Sequence, residues 1–191
     1  MNIGEELVAD YLQFIKKCEF VQKNLYTEDV QGEIDVVGIN LKTKTVYFCE
    51  VAIHLVTGLQ YTKNNQPNNE SKLYEKFLKD IDYARTYFKG YKHHFMFWSP
   101  IVKDKSDKAK YNQLNDVRKV QQKIKQEKGV DIEVIVNGDF LAKLRELKEY
   151  ASIETKDIKS AVIRLYQIEE KTKKYIESPT YKNKRKIEIA N

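Results

Sequence analysis

The sequence has few cysteines and no long hydrophobic run. Its two cysteines, Cys18 and Cys49, lack the spacing of metal ligands, so we interpret them as reduced core thiols and expect no zinc site built on cysteine. No apolar run approaches the roughly 20 residues that a membrane-spanning helix needs. Residues 1–6 lack the basic and then apolar order of a signal peptide. We therefore expect a cytoplasmic protein.

Several catalytic motifs are missing as well. The sequence contains no glycine-rich phosphate-binding loop and no nucleophile elbow around a serine. It also contains no pair of histidines at the helical spacing of metal ligands. These absences argue against a hydrolase of proteins or esters.

The sequence does contain enough apolar material for a packed domain. Of its 191 residues, 41% are hydrophobic and 12% are aromatic, which permits one well-buried domain or one domain with a short appendage. The formal net charge is +6. A surplus of this size is compatible with binding to nucleic acid or to another anionic surface, and by itself it requires neither.

The hydrophobic periodicity predicts an α/β domain over residues 1–150. The order is helix, three strands, helix, strand, helix, strand, helix. The third strand is apolar on both faces, so we expect it in the middle of a covered sheet. Predicted helices cover about residues 3–18, 73–88, 107–127 and 140–147, and predicted strands cover about residues 20–26, 33–39, 45–55, 95–102 and 132–136, with a polar turn at 29–32.

Residues 151–191 are predicted to form an amphipathic helix followed by a basic tail. Apolar residues recur at helical spacing from Ile158 to Ile168. Residues 171–186 contain seven lysines or arginines against one glutamate. Two interpretations stay open for this tail, namely electrostatic binding to phosphates and a solvated helix end with an unstructured terminus.

Two carboxylates fifteen positions apart, Asp35 and Glu50, lie in what the pattern predicts to be neighbouring strands. Charged side chains in apolar strands cost free energy unless they are paired or bind a cation. A divalent metal ion is the simplest ligand for both, and this arrangement is typical of metal-dependent nucleases. From the residues alone, Asp35 can also be a strand-edge carboxylate that caps a turn.

Three short motifs carry a resemblance to a known superfamily. They are Gly4-Glu5 on the first helix, Gly32-Glu33-Ile34-Asp35 before a strand, and Glu50-Val51 at the end of the next strand. In order and spacing they resemble the restriction-endonuclease-like PD-(D/E)xK nucleases, and within these the small enzymes of the Holliday-junction-resolvase type. The resemblance covers about residues 4–136. It implies a three-layer fold with a central mixed sheet of about five strands flanked by helices.

The resemblance also implies the site residues. Asp35, Glu50 and the backbone carbonyl of Val51 correspond to the metal ligands, and the implied metal is Mg²⁺, for which Mn²⁺ can substitute. Glu5 corresponds to the acidic residue that orients the attacking water, with Glu6 as the near alternative. An acidic side chain at a helix N-terminus also stabilises the helix dipole, and this remains an alternative for Glu5.

The sequence departs from the superfamily pattern at Ala52, where the family has a lysine that polarises the water and screens charge in the transition state. Either the lysine has migrated to the following helix, with Lys72 as the first candidate and Lys76 as the second, or Ala52 is an engineered replacement, or the domain binds nucleic acid without cutting it. We favour migration, because both lysines flank the buried stripe of a helix that must pack against the strand of Glu50. Lysines in such positions also commonly extend to solvent without a further role.

Four further residues are predicted contacts with nucleic acid. His54 shares a strand face with Glu50 and can bind phosphate, shuttle a proton or serve as a structural imidazole. Gln60, Tyr61 and Lys63 lie in the polar loop that follows.

Together these features predict a Mg²⁺-dependent DNA endonuclease of a restriction, phage-defence or repair system that acts on duplex or branched DNA. One alternative is a catalytically inactive module of the same fold that binds nucleic acid. Another is an interaction protein assembled through the final helix. A homodimer formed through the helix at about 107–127 or through the last helix is compatible with the two cuts that a duplex requires.

Overall fold

The computed structural model of the chain describes residues 2–27, 30–106, 109 and 111–182. Part of the predicted turn at 29–32 and part of the predicted basic tail lie outside these residues. The chain divides into two compact units, the first ending at Lys143 and the second beginning at Leu144. In the part that the structure describes, no helix is long and apolar enough to cross a membrane.

The observed elements follow the predicted order, with one addition, a hairpin of two short strands before the second helix. The elements are α1 (Ile3–Asp10, continued by a π-helical turn at Tyr11–Ile15), β1 (Phe20–Thr27), β2 (Val30–Asn40), β3 (Thr45–Val51), β4 (Thr62–Lys63), β5 (Gln66–Pro67), α2 (Asn69–Tyr87), β6 (Lys92–Ser99), α3 (Gln113–Lys128), β7 (Ile132–Val136), α4 (Gly138–Ile153) and α5 (Ala161–Glu177).

Within the described residues, the long strands form one mixed sheet in the order β1-β2-β3-β6-β7. The pairs β1–β2 and β2–β3 are antiparallel, whereas β3–β6 and β6–β7 are parallel. Parallel neighbours need a crossover connection, and α2 and α3 supply the two crossovers. The first unit is therefore a mixed α/β structure, with a five-stranded central sheet flanked by helices, and it is compatible with a three-layer arrangement.

Helix α2 packs an apolar stripe against the sheet. Leu73, Phe77 and Ile81 recur every four residues and are at most 1% exposed. They belong to the same hydrophobic core as Phe48 of β3 and Phe97 of β6. Burial of a side chain of this size contributes roughly 1.5–3 kcal/mol. The stripe therefore fixes α2 on the sheet, and with it the polar residues that flank the stripe.

Two strand boundaries differ from the sequence prediction. β3 ends at Val51 rather than near residue 55. The backbone N–H of Ala52 still donates to the carbonyl of Trp98 at 2.9 Å. The carbonyl of Ala52, however, accepts a hydrogen bond from the Ser99 hydroxyl at 2.8 Å. β6 begins at Lys92, three residues earlier than predicted, because its backbone N–H pairs with the connection before β3.

Two helix boundaries also differ. The predicted helix at 107–127 begins at Gln113, because the Asn112 side chain caps it by accepting a hydrogen bond from the N–H of Asn115 at 3.2 Å. The first helix changes to a π-helical turn and ends at Ile15. There the Asn40 side chain donates to the carbonyl of Lys16 at 3.0 Å, which satisfies a free carbonyl of the helix end.

The second unit contains the amphipathic helix that the sequence predicts, but with a different buried face. α5 covers Ala161–Glu177. Leu165 and Ile168 of the predicted stripe are 64% and 54% exposed. The buried apolar contacts come from Val162 and Ile163. Val162 belongs to the predicted stripe and Ile163 does not, so the prediction is right for Val162 and wrong for Leu165 and Ile168.

Candidate functional site

The middle of β2 and the end of β3 bring Asp35 and Glu50 together. Val36 pairs with Cys49 in the antiparallel register, so Asp35 and Glu50 are the next opposed residues along the two strands. The backbone N–H of Val51 donates a hydrogen bond to Oδ2 of Asp35 at 2.7 Å. Asp35 is 5% exposed and Glu50 is 0% exposed. The two acidic residues thus form a buried pair.

Helix α2 supplies a cation that faces this pair. The Nζ atom of Lys76 lies 3.2 Å from both carboxylate oxygens of Asp35 and forms an ion pair with Oε2 of Glu50. Lys76 directly precedes the buried Phe77, so the packing of the apolar stripe also directs this lysine towards the strands. Lys72 lies one turn earlier and is exposed. The structure therefore places Lys76, the second candidate, against the two acids and leaves Lys72, the first candidate, at the surface.

A second lysine and a third carboxylate complete the cluster. The Nζ atom of Lys79 lies 3.7 Å from Oε1 of Glu50 and 3.6 Å from Oδ1 of Asp80. The same ammonium donates a hydrogen bond to the backbone carbonyl of Glu33. Asp80 is 0% exposed. We name Asp35, Glu50, Lys76, Lys79 and Asp80 the acidic cluster.

Sequence reasoning missed Asp80, although the sequence carries a signal for it. Asp80 follows Leu73 by seven residues, which is close to two turns of an α-helix, so both side chains lie on the face that the apolar stripe buries. A carboxylate on a buried helical face is costly unless a partner is present. Its place on the buried face of the helix could therefore have marked Asp80 as a candidate site residue.

The acidic cluster carries an excess of negative charge. Among the described residues it joins three carboxylates to two ammonium groups, so its formal charge is −1 when all five are ionised. Burial raises the pKa of Glu50 well above its usual range, and burial raises the pKa of Asp80 to about 6. Burial alone would lower the pKa of Lys76, but Glu50 and Asp35 outweigh it and raise that pKa.

Ala52, at the position of the family lysine, belongs to the hydrophobic core. It is 3% exposed and packs in the same cluster as Leu59 and Phe77. A lysine at this position would have to replace that apolar packing. The ammonium that lies beside Asp35 and Glu50 belongs instead to Lys76 of α2.

The N-terminal turn of α1 packs closely on the chain after Glu50. A Cβ atom on Gly4 would lie 2.1 Å from Cγ1 of Ile53, so only glycine fits without a shift. Glu5 is buried, and its carboxylate accepts a hydrogen bond from the Asn2 side chain. Glu6 forms an ion pair with Lys23. Glu5 therefore makes a local contact at the helix start, whereas Glu6 ties the helix to β1 through Lys23.

The predicted contacts in the loop after β3 differ in burial. His54 is partly buried, and its ring meets the edge of the Tyr61 ring with 6.3 Å between centroids. The backbone N–H of Tyr61 donates to Oδ1 of Asn69 at 2.8 Å, which ties the loop to the start of α2. Burial raises the pKa of Tyr61 to about 12, and the charges of the acidic cluster act on its hydroxyl. Gln60 and Lys63 are exposed.

A groove of about 500 Å³ lies beside the acidic cluster. It gives the ammonium groups of the cluster access to the surface, and its rim contains an exposed aromatic ring. A cavity of similar size, about 550 Å³, lies at the start of β6 and β7 and contains none of the cluster residues. The groove beside the cluster is lined by Tyr26, Gly32, Glu33, Lys72, Glu75, Lys76 and Lys79.

The donor set of the cluster fits a hard divalent cation. Mg²⁺ binds oxygen ligands and commonly uses only one or two carboxylates, with water completing its shell. Asp35 and Glu50 supply two carboxylates, and Oε1 of Glu50 is buried without a hydrogen-bond partner among the described residues. Within those residues, no group of three or more His, Cys, Asp or Glu has the arrangement of a metal site. The residues therefore fit a two-carboxylate site, and cation binding requires the ammonium of Lys76 to move aside.

Comparisons with known proteins leave the site as the main guide to function. Neither protein-family models, nor curated proteins, nor solved structures match the chain. Any statement about activity therefore has to be argued from the acidic cluster and the sheet that carries it.

Proposed function

We propose that the chain is a Mg²⁺-dependent deoxyribonuclease of the PD-(D/E)xK superfamily, with Asp35 and Glu50 as metal ligands and Lys76 in place of the motif lysine. The observation that carries this proposal is the position of the Lys76 ammonium, 3.2 Å from both oxygens of Asp35 and paired with Glu50. The mixed sheet and the order of its elements support the restriction-endonuclease-like form of the fold.

The chemistry of the site divides between the two acids and the lysine. A divalent cation between carboxylates supplies a Lewis acid that activates water and neutralises phosphate charge. Asp35, held by the N–H of Val51, and Glu50, held by Lys79, provide the negative oxygens in fixed positions. Lys76 would donate hydrogen bonds to the attacking water or to a phosphate oxygen. Such preorganised charges act strongly because burial excludes competing water.

The groove beside the acidic cluster supports a polynucleotide substrate. Three lysines and two glutamates line the groove, namely Lys72, Lys76, Lys79, Glu33 and Glu75. Amine groups spaced along one helix are suited to successive phosphates of a strand. We propose that Lys72 contacts the DNA backbone beside the scissile phosphate, and that the enzyme works in the cytoplasm on duplex or branched DNA.

A second candidate function is a nucleic-acid-binding module without catalysis. The observation that favours it is that Lys76 pairs with both carboxylates at once, so half of the negative charge of the acidic pair is compensated without a metal ion. A domain that had lost catalysis could keep this ion-paired cluster for stability alone. Salt-sensitive DNA binding without cleavage would support this candidate.

The test uses the full chain with supercoiled, linear duplex and branched DNA in the presence of Mg²⁺, Mn²⁺ or a chelator. We expect cleavage with either metal and none with the chelator. Glu50→Gln should abolish cleavage while thermal unfolding shows that it still folds. Asp82→Asn is the matched control, since Asp82 is an exposed acid on the same helix as Lys76. Undiminished cleavage by Glu50→Gln would refute the proposal.

A further inference from the structure

Asp80 is a buried carboxylate with few polar contacts. Its side chain is 0% exposed, no N–H or O–H group of the described residues donates a hydrogen bond to either of its oxygens, and its carboxyl group lies within hydrogen-bonding reach of that of Glu50. Its ion pair with Lys79 spans 3.6 Å, which is longer than a hydrogen bond. Burying a carboxylate in this way costs several kcal/mol in general. A buried carboxylate that lowers stability and whose oxygens receive no donated hydrogen bond is a candidate for a functional role.

Lys79 is shared between Asp80 and Glu50. Its ammonium lies 3.6 Å from Asp80 and 3.7 Å from Glu50, and its hydrogen bond goes to the backbone carbonyl of Glu33. The positive charge is therefore divided almost equally between two carboxylates. Oε1 of Glu50 is fully buried and receives no hydrogen bond from an N–H or O–H group of the described residues.

We propose that Asp80 is a positioning residue that shares the ammonium of Lys79 with Glu50 and thereby keeps Glu50 available to a divalent cation. This inference rests on the proposed metal-dependent function and extends it to a residue that touches neither metal nor substrate. Without the charge of Asp80, the ammonium of Lys79 would form an ion pair with Glu50 alone. The negative potential at the metal position would fall at the same time. Both effects weaken cation binding.

Removing the charge of Asp80 should weaken cation binding but should not lower the stability of the fold. Asp80→Asn removes a buried negative charge and leaves a neutral side chain of the same shape, so the folded state loses a desolvation cost. A purely structural Asp80 would make the variant less stable and would leave cation affinity unchanged. A positioning Asp80 makes the variant at least as stable and weakens its cation affinity. The two roles are therefore separated by measuring both quantities.

The experiment measures Mn²⁺ binding to the full chain without DNA, by electron paramagnetic resonance of the free ion, together with thermal unfolding. The proteins are the unsubstituted chain, Asp80→Asn, Asp82→Asn and Glu50→Gln. We expect Asp80→Asn to bind Mn²⁺ roughly 10- to 100-fold more weakly, the range found when a partner of a metal ligand is removed. Asp82→Asn should bind like the unsubstituted chain, because its carboxylate is exposed.

The outcomes separate the two proposals. If the unsubstituted chain binds Mn²⁺, Glu50→Gln does not, and Asp80→Asn binds as tightly as the unsubstituted chain, the positioning role is overturned while the metal site stands. Equal weakening by Asp82→Asn would also overturn it, since the effect would then follow net charge alone. Absence of Mn²⁺ binding by the unsubstituted chain would overturn both proposals.

Discussion

The ammonium of Lys76 lies 3.2 Å from both carboxylate oxygens of Asp35, although 41 positions separate the two residues in the sequence. One residue comes from the middle of a helix and the other from β2, the strand next to the edge strand β1. Their contact depends on how α2 is seated on the sheet, which its buried stripe determines. The site is thus a product of core packing.

Lys76 and Lys72 should differ sharply in their effect on cleavage. Lys76→Met removes the ammonium beside Asp35 and Glu50, and loss of one such preorganised donor typically lowers kcat by about 10²–10³-fold. Lys72→Met removes an exposed amine and should weaken DNA binding with little change in kcat. Single-turnover cleavage of a duplex at saturating Mg²⁺, followed over a range of protein concentrations, measures both the rate constant of cleavage and the affinity for DNA. The reverse ranking of the two variants would assign the motif lysine to Lys72.

Part of this site follows from the sequence and part does not. Asp35 and Glu50 could be predicted as a pair because strand alternation and a short connection fix the register of β2 and β3. The choice between Lys72 and Lys76 could not, since both flank the same stripe and differ by one turn, about 5.4 Å along the helix axis. Which of the two turns faces Asp35 depends on where α2 is seated on the sheet, and hydrophobic periodicity does not contain that information.

The error in the predicted buried face of α5 also comes from tertiary packing. The exposed Leu165 and Ile168 belong to an apolar pattern as regular as that of α2, so the sequence offers no reason to prefer one helical face. The start of α3 at Gln113 has a local cause, because the Asn112 side chain caps the helix there. Patterns thus identify elements better than they identify the faces and ends of those elements.

Competition between metal and lysine should appear in binding experiments without substrate. The ammonium of Lys76 sits between the two proposed metal ligands, so Lys76→Met should bind Mg²⁺ more tightly than the unsubstituted chain even though it cleaves poorly. A cation at about 100 times its dissociation constant stabilises the folded state by about 2.7 kcal/mol.

Thermal unfolding with increasing Mg²⁺ measures this linkage. The rise in Tm should be larger for Lys76→Met than for the unsubstituted chain, and it should be absent for Glu50→Gln. An equal rise in all three proteins would mean that Mg²⁺ binds somewhere other than the acidic cluster.

The acidic cluster should give the protein an unusual dependence of stability on pH. Burial raises the pKa of Asp80 from 3.8 to about 6. An acid whose folded pKa exceeds its unfolded pKa binds protons more tightly when folded, so its stabilising contribution is complete below about pH 4 and is lost as pH rises through about 6. At neutral pH the ionised Asp80 therefore costs stability.

Asp80→Asn should remove this dependence. The variant should exceed the unsubstituted chain in free energy of unfolding by up to about 3 kcal/mol at pH 8, and the difference should shrink towards pH 4. Urea unfolding at several pH values measures it, with Asp82→Asn as the control that shows no such trend. A difference that grows as pH falls would mean that Asp80 is stabilised as a carboxylate in the folded state.

The close approach of α1 to the end of β3 should make Gly4 essential for the geometry of the site. A Cβ atom there would lie 2.1 Å from Cγ1 of Ile53 and 3.1 Å from Cγ1 of Val51. Gly4→Ala should therefore push α1 away from the strand end and cost about 1–3 kcal/mol of stability. Because Val51 also holds Asp35 through its N–H, kcat should fall as well.

Gly138→Ala is the matched control for this substitution. Gly138 opens helix α4, and a Cβ atom on it would meet nothing within 4 Å. Alanine there should leave stability unchanged or raise it slightly, because alanine is the better helix former. Urea unfolding and cleavage rates of both variants test the pair. If Gly4→Ala proved as harmless as Gly138→Ala in both measurements, the packing of α1 on β3 would not control the positions of Asp35 and Glu50.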